Sequence, residues 1–265
     1  MKKISELWIY PIKSLPGIKI HQSKVFDKGF QYDRRWMLID RSRHFISQRT
    51  HPKLALLHLE IISNQLIISQ GTTTHAIPMV PPSPGSPILV KIWDDEVKAH
   101  AFDQTADDWF SSFLQEPCKL VFFPEENSRP ADPAFGPNHE VSFADAFPYL
   151  LVMQSSLDDL NARLKNPVSV KRFRPNIVIQ GGIPLEEDRY ETIKIGKVRF
   201  KAVKPCSRCQ VPSINPQTGI LEKEPLKTLS LYRKKNRQIY FGMNLVALDP
   251  GEIKTGDEVT LMGNL

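Results

Sequence analysis

Apolar and polar residues alternate along much of this chain, with the period of two that buries one face of a strand. ELWIYPI, RWMLIDRSRHFIS, LALLHLEIIS, PILVKIWDDEVKAHAF, KLVFF, PNIVIQ, TIKIGKVRFKAV, QIYFGMNLVAL and EIKTGDEVTLM are rich in Ile, Val, Leu and aromatics. Such residues suit a pleated, half-buried surface. Asp94-Asp95 and Gly196-Lys197 sit midway in two of these runs and predict hairpin turns. The period changes in three places. In DQTADDWFSSFLQE, Ala106, Trp109, Phe110, Phe113 and Leu114 recur on one helical face. In SSLDDLNARLK, Ser155 and Asp158 form a start like a capping box, with Leu157, Leu160 and Leu164 behind it. EPLKTLSLYR places Pro225 in a favoured first-turn position.

The fold class is therefore mainly β with a few helices, in the α+β class. IPMVPPSPGSP reads as a loop, and the proline-rich PEENSRPADPAFGPNHE, residues 124–140, as the boundary between two domains. Residues 1–123 would form a strand-rich N-terminal domain. Residues 124–265 would form a β-barrel.

Composition narrows the picture only at its edges. The 41% hydrophobic fraction is that of a soluble protein. No apolar run approaches the roughly 18 residues of a membrane span, and the N-terminus does not read as a signal peptide. Three cysteines cannot staple a secreted fold, so the expected location is cytoplasmic. The net charge of +6 suits an anionic partner: a nucleic acid, a membrane surface or a phosphorylated cofactor. No basic stripe interleaves with aromatics, so neither nucleic acid nor membrane is expected as a partner. RKKNR, residues 233–237, reads as a solvated turn.

The chemistry concentrates in KPCSRCQVPSINPQTG, residues 204–219, which holds two of the three cysteines. Four readings compete. Structural zinc needs four ligands, usually from paired motifs, and only one Cys-x-x-Cys is present. A redox dithiol normally opens a helix, which Pro205 and the following VPSINPQTG forbid. A buried, inert pair is the third reading. The fourth is a thiolate ligand for a soft or high-valent metal, favoured by the flanking Lys204 and Arg208. Such a metal would need its own chelator, and a phosphate on that chelator would need further cations.

Three stretches supply cations. IYPIKS sets Lys13 and Ser14 after a strand, and DRRWMLID puts Arg34 and Arg35 on opposite faces, one toward a site and the other solvated. KRFRPNIVI holds Arg174 in extended backbone before Pro175, with Asn176 offering an amide.

Taken in order, IYPIKSLPG, DRRWMLID, FADAFPYLL, SSLDDLNARL, FRPNIVI, KPCSRC and DPGEIKTGDEV resemble the MOSC family over almost the whole chain. The likeness is to the branch with an N-terminal β-barrel-type domain, which includes YcbX-like proteins and the amidoxime reducing components. The resemblance implies a MOSC-type barrel that binds molybdenum cofactor, a metal-bearing molybdopterin. It implies Cys209 as the metal ligand and catalytic centre. It also implies Lys13, Ser14, Arg34, Arg174, Asn176, Ser207, Arg208 and Asn244 as the cofactor-binding set, with Arg34 rather than Arg35 turned to the site. Asp145 in FADAFP would relay a proton. Two departures bear on substrate: Ala146-Phe147 where the mitochondrial relatives place small hydroxyl residues, and Asn244 where they place a tyrosine.

The implied reaction is two-electron reduction of N-hydroxylated substrates: hydroxylamines, amidoximes and N-hydroxylated bases. Outside the CSRC motif only Cys118 remains, whereas an iron–sulfur cluster needs four ligands. No glycine-rich dinucleotide fingerprint follows a strand either. Electrons are thus expected from a separate protein, a ferredoxin or a flavoprotein reductase. The alternative is a carrier of cofactor or sulfur, because MOSC domains also occur fused to cofactor sulfurases.

Overall fold

KISELWI, the strand Lys3–Ile9, leaves its sequence neighbours and pairs antiparallel with Ile177–Gln180 far along the chain. Its other edge takes the short strand Ile18–Ile20. The computed structural model describes residues 1–83, 85–132 and 139–262. Its largest sheet runs Val259–Met262, Thr192–Ile195, Val198–Ser207, Gln238–Ala247, Tyr149–Met153, Ile177–Gln180, Lys3–Ile9, Ile18–Ile20, with Lys234–Lys235 added on Gln238–Ala247. Residues from both sides of the proline-rich 124–140 stretch thus build one sheet. All neighbours along this order are antiparallel except Tyr149–Met153 and Ile177–Gln180. That parallel pair requires a crossover, which the helix Gln154–Ala162 supplies.

The alternation read from the sequence sorts these strands onto two faces. Leu7, Ile9, Tyr149, Leu151, Ile177, Ile193, Phe200 and Leu245 fill the interior of the curled sheet. Trp8, Val152, Val178 and Phe241 point outward, against Leu157, Leu160 and Leu229 of the covering helices. The expected barrel does not close by a continuous ladder. The start of Lys3–Ile9 meets the approach to Val259–Met262 through the bridge of Lys3 with Glu258 and through backbone hydrogen bonds from Ile4 N to Asp257 O at 3.0 Å, Gly256 N to Ile4 O at 2.9 Å and Val259 N to Lys2 O at 2.9 Å. The preceding strand Gly251–Lys254 is committed to Gln22–Phe26 instead, which leaves little of that edge to pair.

The rest is mainly β as well: a sheet ordered Trp36–Ile39, Lys119–Phe122, Asp95–Ala101, Pro87–Ile92, and a meander of His58–Ile62, Gln65–Gln70 and Thr73–Pro78. The helix Gln104–Leu114 buries Ala106, Phe110 and Leu114 here, while Trp109 and Phe113 are half-buried. Asp103 caps it, accepting from Thr105 N at 2.6 Å and Ala106 N at 3.2 Å.

Three local expectations move. Gly196-Lys197 is the predicted two-residue turn, with Gly196 at φ +56. The other hairpin turns at Trp93-Asp94, because Asp95 pairs with Ile92. Ser155 does not cap its helix, which begins directly after Met153; Ser156 instead donates to Glu187 Oε2 at 2.7 Å. Pro225 sits at the cap of Leu226–Tyr232 rather than in its first turn. Among the described residues no helix is long and apolar enough to cross a membrane.

Candidate active site

The loop after Lys3–Ile9, the start of Trp36–Ile39, the Asp145 turn, the Arg174 turn and the end of Val198–Ser207 enclose one cleft of about 270 Å³. Lys13, Ser14, Arg34, Asp145, Arg174, Asn176, Ser207, Arg208, Cys209 and Asn244 all line it. Every residue singled out from the sequence as catalytic or cofactor-binding is therefore brought to one place.

Backbone geometry at the cleft is unusual. Ser14, Arg34 and Arg174 have φ of 70, 52 and 56°, the left-handed region that non-glycine residues avoid at a cost of roughly 1–3 kcal/mol each. The sequence predicts extended backbone for Arg174 before Pro175. Instead Arg174 closes the short helical turn Val170–Phe173 in a left-handed conformation, with its N–H donating to Lys171 O. A residue before proline is kept out of the right-handed helix, and this conformation ends the turn while aiming the guanidinium inward.

Tyr10 is the floor between two of these arginines. Arg34 lies over its ring at 4.8 Å and Arg174 at 4.3 Å from the centroid, and its hydroxyl donates to Pro175 O at 3.0 Å. Burial pushes this phenol well above its ordinary range. Burial also lowers Arg174, to about 10, while Arg174 donates to Leu15 O at 2.5 Å. Buried Asp33 braces the group, accepting from Tyr10 N at 2.6 Å, from Asn176 Nδ2 at 3.1 Å and from Arg34. Asn176 accepts in turn from Leu150 N at 3.2 Å and Arg34 Nη1 at 3.3 Å, and donates to Trp8 O. Its amide is committed to protein partners, so it holds Arg34 and Asp33 in place. Arg35 points the other way, as alternation predicts, but it is buried rather than solvated. It is 1% exposed and donates to Glu125 Oε1 at 2.7 Å, because burying a guanidinium requires such a partner.

Lys13 and Asp145 form a second cluster. Buried Lys13 Nζ donates to Phe143 O at 2.8 Å and to Asp145 Oδ1 at 2.5 Å, and lies 5.0 Å from the Phe45 ring centre. Burial pushes the lysine down to about 8, against the opposing pull of Asp145. Partial desolvation would raise the carboxyl of Asp145, but the Lys13 charge and hydrogen bond, helped by Arg49 and Arg34, hold it well below the usual range. The Asp145 side chain itself is 65% exposed at the cleft mouth. Trp93 Nε1 also donates to Asp145 Oδ1, at 3.2 Å, and Arg49 stacks on the Trp93 ring at 3.8 Å.

The cysteine motif ends the strand Val198–Ser207 and runs into the short turn Val211–Ser213, so no helix begins at the thiols. Cys209 is exposed, Cys206 half-buried, and both are free. Arg208 donates to Cys206 Sγ at 3.0 Å and to Phe173 O at 2.6 Å, and its buried Nε has no partner. Asn244 Nδ2 donates to Lys204 O at 3.1 Å, pinning the bulge that precedes the motif. Among the described residues no cluster of three His, Cys, Asp or Glu could hold zinc. Cys118 is far off in the other core, with burial pushing its thiol up to about 11. The RKKNR run is exposed at Lys234, Lys235 and Arg237 and turns a hairpin. Sequence reasoning missed Tyr10, Asp33, Phe45, Arg49 and Trp93; the first two lie within IYPIKS and DRRWMLID, whereas the others carry no local signal.

Known proteins match along both halves. Residues 1–117 match the family described as "MOSC N-terminal beta barrel domain" and residues 138–260 that described as "MOSC domain". Mitochondrial amidoxime-reducing component 1 of Mus musculus is 34% identical over 98% of this chain and 82% of its own length. That of Homo sapiens is 33% identical over 98% and 83%. Molybdenum cofactor sulfurase of Oryza sativa subsp. japonica is 28% identical over 98% of this chain, which covers 34% of that protein.

Proposed function

Since the chain belongs to the MOSC family, we propose that it is a molybdenum-cofactor-dependent oxidoreductase that reduces N-hydroxylated compounds: hydroxylamines, amidoximes and N-hydroxylated bases. One observation carries the reading. An exposed thiol, Cys209, stands at a cleft lined by Lys13, Arg34, Arg49, Arg174, Lys204 and Arg208, and the buried Nε of Arg208 is an unused donor. That donor set fits an anionic chelate carrying a soft or high-valent metal. Cys209 would ligate the metal, and Arg34, Arg174 and Arg208, with Lys13, Ser14 and Ser207, would face the pterin and its phosphate. Asn176 and Asn244 would act by fixing their neighbours. When bound, the cofactor supplies the two-electron chemistry at the N–O bond.

The chain's own residues handle the protons. Releasing the N–O oxygen as water consumes two protons with the two electrons. Asp145 is ionised at neutral pH and accepts a hydrogen bond from the substrate at the cleft mouth. Lys13 Nζ holds the exchangeable proton, and Asp145 Oδ1, 2.5 Å away, is its path toward the cleft.

Electrons come from a separate protein, a ferredoxin or a flavoprotein reductase, because three cysteines cannot build a four-thiolate cluster. The same reading keeps a cytoplasmic location and a division into residues 1–123 and 124–265, with neither nucleic acid nor membrane as partner. A second reading rests on the same exposed Cys209 and on the sulfurase relative: a module that carries cofactor or sulfur without turning over a small substrate. Purified protein from molybdate-grown cells, assayed with benzamidoxime or 6-hydroxylaminopurine and a chemical reductant, separates the two. Bound molybdenum without turnover favours the carrier. Absence of both metal and pterin defeats both readings.

A further inference from the structure

The two thiols of the CSRC motif have different neighbours, and the difference assigns Cys206 a role. The sulfur of Cys206 accepts from Arg208 Nη1 at 3.0 Å. The other terminal nitrogen, Nη2, donates to Phe173 O at 2.6 Å, so both ends of the guanidinium fork are tied to protein. The Phe173 ring lies 5.4 Å from the guanidinium carbon and closes another side. What remains is Nε, buried and without any acceptor, on a side chain that lines the cleft. A buried N–H left unpaired costs about 1–3 kcal/mol, so such a donor in a built site points to an acceptor that arrives with a ligand.

We infer that Cys206 is a positioning residue: its sulfur locks the Arg208 fork so that Nε presents its hydrogen to an anionic oxygen of the bound cofactor. This rests on the reading of the cleft as a cofactor site. The length of the motif follows from it. Cys206 and Arg208 stand two apart, the spacing that puts two side chains on one face of a strand end, where Arg208 N–H still donates to Ile239 O at 2.8 Å, and Cys209 comes next as the exposed thiol. A thiol serves well in this place because its large, polarisable sulfur is a weak acceptor with little hydration to lose on burial, and its single branch leaves room for the fork.

The test is a double-mutant cycle read as pterin retained per chain after gel filtration, by fluorescence after oxidation, with thermal midpoints measured alongside. Arg208→Met and Cys206→Ala should each lower retained pterin about tenfold, the scale of one charge-assisted hydrogen bond. The double variant should be no worse than Arg208→Met alone, because the thiol acts only through the arginine. Cys206→Ser, which keeps an acceptor, should recover most of the loss. Wild-type retention in Cys206→Ala with loss in Arg208→Met would overturn the inference and leave the cofactor reading standing. So would losses that multiply in the double variant, which would mark an independent structural part. Full pterin in Arg208→Met would remove Arg208 from the cofactor site and the inference with it. Should Cys206→Ala fail to fold, Arg208→Lys carries the test. It keeps the charge but has no fork to lock, so it should lose pterin as Arg208→Met does, and wild-type retention would overturn the inference.

Discussion

Lys13 and Asp145, 132 positions apart, meet at 2.5 Å at the rim of the cleft, one buried and the other open to solvent. The lysine contributes the buried charge and the aspartate the accessible one. Each shifts the other. Burial pulls the Lys13 ammonium down and the aspartate pulls it back up, while the lysine charge and hydrogen bond hold Asp145 well below the usual carboxylate range.

The pair sets a pH window. Lys13 is pushed down to about 8 from an ordinary 10.5, so its ammonium and the ion pair are lost as pH rises through about 8. Activity should fall on an alkaline limb near that value, and Lys13→Arg, which keeps the charge but gives up no proton in this range, should lower kcat/KM at least tenfold as Lys13→Ala does, leaving no such limb in what remains. A limb that survives Lys13→Arg belongs to another group. The stability signs differ for the two partners. Between about 8 and 10.5 the unfolded chain binds more protons at Lys13, so this residue makes stability rise with pH there. Asp145, depressed in the fold, contributes stability above its unfolded pKa that is lost as pH falls through its folded value. Because its side chain is largely exposed, solvent screens that contribution and it is small.

The thiols should separate cleanly by substitution. Cys209→Ser replaces a soft ligand with a hard one and should abolish N-reduction while the chain stays folded. Cys206→Ser should retain cofactor and measurable turnover, since its sulfur faces Arg208. Equal and complete loss in both variants would return the motif to a site in which the two thiols act as a pair, such as a disulfide.

Removing an arginine from the Tyr10 stack should empty the cleft. Arg174→Ala and Arg34→Ala each take a charge from an anion site, at a cost of about 2–5 kcal/mol for a buried charge-assisted pair. Pterin content should drop in both. Lys234→Ala changes an exposed lysine in the hairpin run and should leave pterin content at the wild-type level. Full pterin in both arginine variants would mean that these guanidiniums serve the fold alone.

Much of this was legible in the chain because it is local. Alternation located the strands, and the cysteine, Lys13-Ser14, Arg34 and Arg174 stretches were each visible as short motifs. Three kinds of fact were not. Left-handed backbone at Ser14, Arg34 and Arg174 depends on what the turns pack against, and Pro175 argued for the opposite at Arg174. The helix starts at Gln154, directly after the strand ending at Met153, so Ser155 already lies inside it and its hydroxyl caps nothing. Trp93, with Arg49 stacked on its ring, reaches Asp145 only because a hairpin of the first half folds against a turn of the second. None of these contacts leaves a periodic trace.

The proposed separate electron donor can be tested through the cysteines and the charge. Cys206 holds Arg208, Cys209 faces the cleft, and Cys118 is buried beside Ser111 with its thiol pushed up to about 11. Three cysteines so placed do not make a four-thiolate cluster, and the glycine pair Gly181-Gly182 after the strand Ile177–Gln180 lacks the G-x-G-x-x-G spacing of a dinucleotide fingerprint. The purified protein should therefore turn over with reduced methyl viologen and remain inert with NADPH alone. Salt distinguishes the physiological route. A net charge of +6 attracts an acidic carrier, so the rate with reduced ferredoxin should fall as ionic strength rises from about 0.01 to 0.15 M, where the Debye length shortens from about 30 to 8 Å. Methyl viologen is a cation and gains nothing from that field, so its rate should stay level or rise over the same range. Turnover with NADPH in a preparation free of other proteins, or identical salt profiles for the two donors, would rule out an acidic protein donor steered to this face.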